Sequence, residues 1–444
     1  MLKKNKKNNT SSNIRAILRS LAHRNYRLFF SGQLVSLSGT WIQVVAMSWL
    51  VYRLTNSAFM LGLVTFLSQV PSFLFAPFAG VYIDRWNKHK TLIFTQIVSM
   101  LQAFSLAILT LTGTIQVWHI MLLSIILGLT NAFDMPARQA FVIEMIEDRK
   151  DLGNAIALNS SLVNMARLIG PALAGIIVAK FGEGICFTIN GITFIAVIIA
   201  LLFMRIKTVK LANTRRNTIT EFKEGFRYSF GFPPIRDLLI LLSVLSFAIT
   251  QYTVLMPVFA KDILNGGPDT LGYLMASTGV GALAGGIYLA SRKTVLGLGK
   301  IMAVSTFLFG ITIMIFAFSR HSMLSLIFLL FAGFGFIAII AASNTILQTI
   351  TDDDKRGRVM SFYTMAFMGM APFGSLIAGV IADRIGAPLT IMISGIISII
   401  CGVILSLRLP ALRKLTKPVY IKKGIITEVA QGLQAAADLE SIHE

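Results

Sequence analysis

Twelve apolar stretches alternate with short polar segments along the chain. They lie roughly at 28–51, 58–82, 91–112, 117–138, 156–179, 185–204, 237–260, 271–290, 300–318, 323–349, 359–382 and 389–407. A helix of about 20 residues crosses a bilayer core. In hydrocarbon the backbone must bond to itself, so each stretch is predicted to be a membrane-spanning helix. One longer polar segment, 205–236, separates six stretches from six. It carries Arg205, Lys207, Lys210, Arg215, Arg216, Lys223, Arg227 and Arg236 and closes on Pro233-Pro234. Its Ile219, Phe222, Phe226 and Phe230 fall at helical spacing opposite Lys223 and Arg227. That pattern reads either as a helix lying on the membrane surface or as a plain soluble linker.

The expected fold class is therefore an all-α polytopic membrane protein of twelve spans. The expected organisation is a basic arm (1–27), a six-helix bundle (28–204), a linker (205–236), a second six-helix bundle (237–408) and a polar tail (409–444). In the tail, Ile425, Val429, Leu433 and Ala436 could line one weak amphipathic helix; disorder is the alternative.

The two bundles share a frame. Gly153, Gly170, Ala174, Gly175, Ile177 and Gly182 recur 204 positions later as Gly357, Gly374, Ala378, Gly379, Ile381 and Gly386. Glycines in spans mark close approaches of helix backbones. A shared glycine frame half a chain apart implies two pseudo-symmetric halves, the arrangement in which transporters place a substrate between repeats near the midplane.

Composition agrees with a membrane protein. The chain is 55% hydrophobic and 14% charged, with a mean hydropathy of +0.74, too few charges to cover a soluble surface. The net charge of +20 is first a topology signal. With the N-terminus inside and spans alternating, 34 of the 40 Lys and Arg fall on the cytoplasmic side. The outer loops hold Arg53, Lys180, Lys261, Arg320 and Arg384, and Arg167 lies within a span. This bias predicts a multi-pass protein with both termini in the cytoplasm. The N-terminal Lys3, Lys4, Lys6 and Lys7 are read as meeting anionic lipid rather than nucleic acid. No cleaved leader is expected. Cys186 and Cys401 both fall inside spans, which suggests neither a disulfide nor a metal site.

The loop after the second stretch reads Gly80-Val-Tyr-Ile-Asp84-Arg85-Trp-Asn87-Lys88-His-Lys90. Charges clamping a short turn between two spans can hold one transporter conformation and release it in another. Gly80, Asp84, Arg85 and Lys88 are therefore candidates for a cytoplasmic gate, with positive-inside charge as the plainer reading. The spacing resembles the loop motif of the major facilitator superfamily, with Asn87 in place of the usual turn glycine; Asn also tolerates positive φ. The equivalent loop of the second half, Gly286 to Lys293, lacks the acid. Three further runs resemble the branch of that superfamily called transmembrane secretion effectors, which includes the enterobactin exporter and macrolide efflux proteins. They are Gly128-Leu-Thr-Asn131-Ala-Phe-Asp134-Met-Pro136-Ala-Arg138-Gln139-Ala-Phe141, Asn164-Met-Ala-Arg167-Leu-Ile-Gly170-Pro171 and Asn25-Tyr-Arg27-Leu-Phe-Phe-Ser-Gly32. The resemblance covers roughly 20–410. It implies the major facilitator fold, alternating access, a cavity lined by spans 1, 4, 7 and 10, and a place in the bacterial cytoplasmic (inner) membrane.

Charge inside the predicted spans is scarce. Away from span ends, Asp134 is the one acid and Arg167 the one base. An isolated ion there is costly, so a partner is expected; an Asp134–Arg167 pair is possible. The functional reading makes Asp134 a proton carrier and Arg167 an anion-facing group; the alternative is a structural charge pair. Gln33, Ser36, Thr40 and Gln43 form a polar stripe on one face of the first span, opposite Leu34, Leu37, Trp41 and Val45. With Asn131, Thr250, Gln251, Asn344 and Gln348, they are either cavity lining or helix packing.

No phosphate-binding loop is present, and the five histidines are scattered, so no enzyme activity and no cofactor or metal are expected. The expected function is secondary active export of a small amphiphilic molecule, siderophore or drug-like, coupled to protons, by a monomer. The alternatives are uptake or flipping of a solute or lipid on the same fold, or a membrane partner protein that does not transport.

Overall fold

The chain satisfies its backbone within helices almost throughout. The computed structural model describes residues 19–146, 148–205, 218–292 and 294–426. Among them are twelve helices long and apolar enough to span a membrane. In chain order, spans 1 to 12 are Arg24–Thr55, Ala58–Arg85, Lys88–Leu111, Val117–Met145, Leu152–Phe181, Glu183–Leu202, Pro233–Ile263, Pro268–Ala290, Leu298–Phe318, Ser322–Ile350, Arg356–Ile385 and Ala387–Lys422. Most match the apolar stretches to within a turn of helix.

Two spans run further than hydropathy indicates. Span 4 continues past 138 to Met145. Span 12 continues past 407 to Lys422, because Leu412, Val419 and Tyr420 pack against the core of the second half while Arg408 and Arg413 face out. Span 11 breaks between Met368 and Ala371, where Pro372 lacks the N–H that residue 368 would receive. Span 7 ends in a π turn, Phe259–Ile263, just past Pro257.

The linker contains a helix, Thr218–Gly231. Its described apolar side chains dock on protein. Phe226 and Phe230 stack at 4.4 Å and both meet Phe362 of span 11, while Glu224 pairs with Arg358 at 2.7 Å. The side chains of Ile219 and Phe222, and the tail residues Val429, Leu433 and Ala436, lie outside the described residues.

The glycine repeat has a direct structural counterpart. A Cβ on Gly175 of span 5 would lie 2.8 Å from the Cα of Gly272 in span 8, and one on Gly379 of span 11 would lie 3.2 Å from the Cα of Gly62 in span 2. One turn earlier, Gly170 makes room for Trp41 of span 1, and Gly374 for the Phe247 backbone of span 7. Thus 5 packs on 8 and 1 in the way that 11 packs on 2 and 7. Both repeat copies end on a positive-φ glycine, Gly182 and Gly386.

The linker and both ends of the described chain lie at one end of the bundle, here the linker side; the opposite end is the far side. Gly62, Gly175, Gly272 and Gly379 all sit toward the far side, where the halves touch. On the linker half, several polar side chains within spans are exposed: Ser160 and Ser161 in span 5, Thr345 and Gln348 in span 10, Ser361 and Thr364 in span 11. Polar groups at that depth face water or protein rather than lipid. The halves therefore enclose a cleft that is closed at the far side and open at the linker side.

Candidate functional site

Asp134 is 4% exposed, and its partner is not Arg167. It pairs with Arg138 one turn along the same helix. Its other oxygen accepts from Thr95 Oγ1 at 2.8 Å and Gln96 Nε2 at 2.7 Å, both on span 3. Arg138 also donates to Gln33 of span 1, so one network ties spans 1, 3 and 4 together. Sequence reasoning put Arg138 at the end of span 4 and missed it; its i, i+4 spacing from Asp134 was the available signal.

The polar stripe of span 1 turns into its own bundle. Gln33, Ser36 and Gln43 are buried and Thr40 half-buried. Gln43 donates to Gln102 at 3.0 Å and accepts from Asn190 at 2.8 Å, and Thr40 bonds the Ser36 carbonyl. In the other half, Gln251 is buried and accepts from Ser394 of span 12, while Thr250 bonds the Ser246 carbonyl. Asn131 is half-buried. Gln348 is exposed and donates to Asn344 at 2.7 Å. That pair lines a pocket of about 430 Å³ with Arg356 and Lys423 at the linker side. Cysteine at Gln348 should therefore react with a hydrophilic maleimide, in a background lacking Cys186 and Cys401, at least tenfold faster than cysteine at Gln43. Equal rates would mean that span 1 turns its stripe to water.

Arg167 lies midway along span 5, half-buried. Its guanidinium stands over the Trp41 ring at 5.4 Å, and its Nε is buried with no hydrogen-bond partner. Trp41 belongs to the flank of span 1 opposite the polar stripe, so the stripe gave no hint of it. In the other half, a Cβ on Gly279 of span 8 would lie 3.0 Å from Leu168 Cα, so spans 5 and 8 touch at this level.

At the linker side, Lys88 is buried and donates to Glu144 of span 4 at 2.8 Å. Asn87 has φ −72° and caps span 3 by accepting from the Lys90 N–H. It serves as an N-cap, not as the positive-φ turn residue that the motif comparison suggested. Gly80, Asp84 and Arg85 lie in the last turns of span 2; the side chains of Asp84 and Arg85 lie outside the described residues.

The far side carries a set of contacts that sequence reasoning did not find. Tyr52 of span 1 donates to Asp262 of span 7. Lys261 donates to Asn56 at 2.6 Å and lies 5.4 Å from the Tyr52 ring. Asp383 of span 11 accepts from Ser57 Oγ at 3.0 Å and from the Phe59 N–H at 3.1 Å at the start of span 2. All four hydrogen bonds cross between the halves. The π turn aims Lys261 and Asp262, and positive-φ Asn56 shapes the facing turn. In sequence Lys261, Asp262 and Asp383 look like ordinary span-end charges. Hydrogen bonds to a charged group are worth about 1.5–3 kcal/mol each. Asp383→Ala should thus move the population toward a far-side-open state by roughly tenfold or more. Distances between spin labels at the two far-side rims would show it; an unchanged distribution would remove Asp383 from the latch.

Residues 16–420 match the family model described as transmembrane secretion effector. The Staphyloferrin A transporter of Staphylococcus aureus (strain NCTC 8325 / PS 47) is 27% identical, over 84% of this chain and 94% of that protein. Macrolide efflux protein A of Streptococcus pyogenes is 24% identical, over 88% and 98%. Among solved structures, a POT family transporter superposes with a TM-score of 0.68 at 10% identity, covering 88% of this chain and 96% of that one.

Proposed function

From the membership of this chain in the transmembrane secretion effector family, we propose that it exports a small amphiphilic molecule, siderophore or drug-like, from the bacterial cytoplasm by proton-coupled alternating access. The observation that carries this reading is the cleft itself, closed at the far side by the Tyr52–Asp262, Lys261–Asn56 and Asp383–Ser57 contacts and open at the linker side. The excess of Lys and Arg on the linker side argues that this side is cytoplasmic. The cleft then faces the compartment from which substrate is loaded. The glycine contacts 5/8 and 2/11 are the surfaces on which the halves would rock, since small residues let helices slide at short separation. The packing reading fits Gln43 and Gln251, whose amides are held inside their own bundles.

The proton is assigned to Asp134. In the state described, Arg138, Thr95 and Gln96 hold its carboxylate. A proton on Asp134 would free Arg138 and with it the tie to Gln33, loosening span 1 against span 4. At the inner gate, Asp84 is assigned the role of the clamp. Asp84→Asn should insert normally yet lose at least tenfold in transport rate, and wild-type rates would remove it from the gate. The function as a whole is tested in inverted membrane vesicles given an imposed pH gradient. A macrolide and a siderophore are offered as substrates, and proton movement is followed with a pH-sensitive dye. Accumulation of either compound with simultaneous proton release supports export. Loading only in right-side-out vesicles would favour uptake.

A further inference from the structure

Arg167 is a guanidinium with no counter-ion among the described residues, at a depth where a lone charge is costly. Two other buried charges of the first half are matched: Asp134 with Arg138, and Lys88 with Glu144. Among the described residues no carboxylate pairs with Arg167, and its Nε has no acceptor. Its neighbours are the Trp41 ring beneath it and the Tyr252 phenol of span 7, within electrostatic reach. The placement depends on Gly170: a Cβ there would lie 2.4 Å from Trp41 Cβ. Glycine lets span 5 lie close against span 1 and sets Arg167 over the ring. An aromatic face attracts a guanidinium from one side and leaves the planar fork of donors for a ligand. A carboxylate fits that fork with two parallel N–H···O bonds. Spans 1, 5, 7 and 8 meet around this point, so a ligand held there would touch both halves.

We propose that Arg167 and Trp41 form an anion subsite at mid-membrane, and that the substrate of this chain carries a carboxylate on an apolar body. The proposal rests on the exporter reading for direction only. With the cleft empty, half-buried Arg167 keeps part of its hydration, which favours the linker-open state. A bound carboxylate neutralises it and removes the cost of closing the cleft around a bare charge. Substrate and closure are thereby linked through one residue.

The test uses the full chain in nanodiscs of zwitterionic lipid, with Trp49, Trp86 and Trp118 replaced by Phe so that Trp41 reports alone. Hexanoate is titrated against hexanamide and hexylamine. Hexanoate should give a saturable change in Trp41 fluorescence, with the amide and the amine at least tenfold weaker. Arg167→Gln should abolish the hexanoate response with an unchanged melting temperature. Arg167→Lys, which keeps the charge and loses the fork, should weaken it about tenfold. No saturation by hexanoate, or equal binding to Arg167→Gln, overturns the proposal. Competition by phosphatidylglycerol added to the nanodiscs would make a lipid headgroup the occupant and overturn the substrate assignment. Vesicle accumulation separates the two readings. Export that is insensitive to Arg167→Gln leaves the exporter standing and removes the subsite. Intact hexanoate binding without export of any compound does the reverse.

Discussion

Gly175→Leu is expected to abolish transport, with a fall of at least a hundredfold, while the protein still folds and inserts. A Cβ at that position would come within 2.8 Å of both the Cα of Gly272 and the Pro268 carbonyl. These are backbone atoms of the other half and cannot swing aside. The overlap lies between the bundles, not inside one, so each bundle keeps its core while the far-side closed state is lost. Overpacking of this kind costs about 1–3 kcal/mol when the surroundings can shift; here the relief available is for the halves to part. Leu271 is fully buried beside the contact. In a background without Cys186 and Cys401, cysteine at 271 should be labelled from the far side by an impermeant maleimide in Gly175→Leu and protected in the parent. Gly281→Leu is the contrast. There a Cβ would meet the Leu330 carbonyl at 1.8 Å inside the second half, and the expected result is failure to fold. Wild-type transport by Gly175→Leu would show that the halves do not use this contact during the cycle.

Asp134→Asn should both destabilise the protein and uncouple it. Asparagine can still accept from Thr95 and Gln96, but it leaves the Arg138 charge without its partner. Breaking a buried pair from one side costs about 3–5 kcal/mol. Arg138→Gln added to Asp134→Asn removes the orphaned charge and should restore most of the thermal stability measured in nanodiscs. It should not restore accumulation driven by a pH gradient, because the site of the proton is gone. The two readouts separate structure from coupling. A double variant that regains stability and also concentrates substrate against its gradient would place the coupling proton elsewhere, with Asp262, Asp383 and Glu144 the next carboxylates to test.

The fold was legible because lipid makes hydropathy a local property. A run of about 20 apolar residues has one stable conformation in a bilayer, so the twelve spans follow from the chain read one window at a time. The linker, the orientation bias and the glycine frame are legible on the same terms, as each is written in consecutive residues or in a fixed offset. Span ends were less legible. Arg138 closes one apolar window and Leu412 lies beyond another, yet both belong to continuous helices, since neighbouring helices cover residues that hydropathy assigns to water.

The partners within the candidate site were not legible, and the reason is geometric. Asp134 and Arg167 stood out as rare charges in spans, and rarity alone suggested that they pair. Whether two side chains on neighbouring spans meet depends on helix rotation about its own axis, which periodicity does not fix. In the structure Asp134 turns toward span 3 and its own next turn, and Arg167 turns toward Trp41. The same rotation carries Gln43 into its bundle, toward Gln102 and Asn190, although a polar stripe by itself fits packing and water equally well.

Sequence alone determined the number of spans, the two pseudo-symmetric halves and the side on which positive charge collects, because these depend on residue type and spacing along one chain. Only the tertiary structure decided that Tyr52, Asn56 and Ser57 meet Asp262, Lys261 and Asp383 across the far side, and that no carboxylate among the described residues pairs with Arg167. Those contacts join residues more than a hundred positions apart, and they exist only once glycine-lined helices have set the distance and angle between the halves.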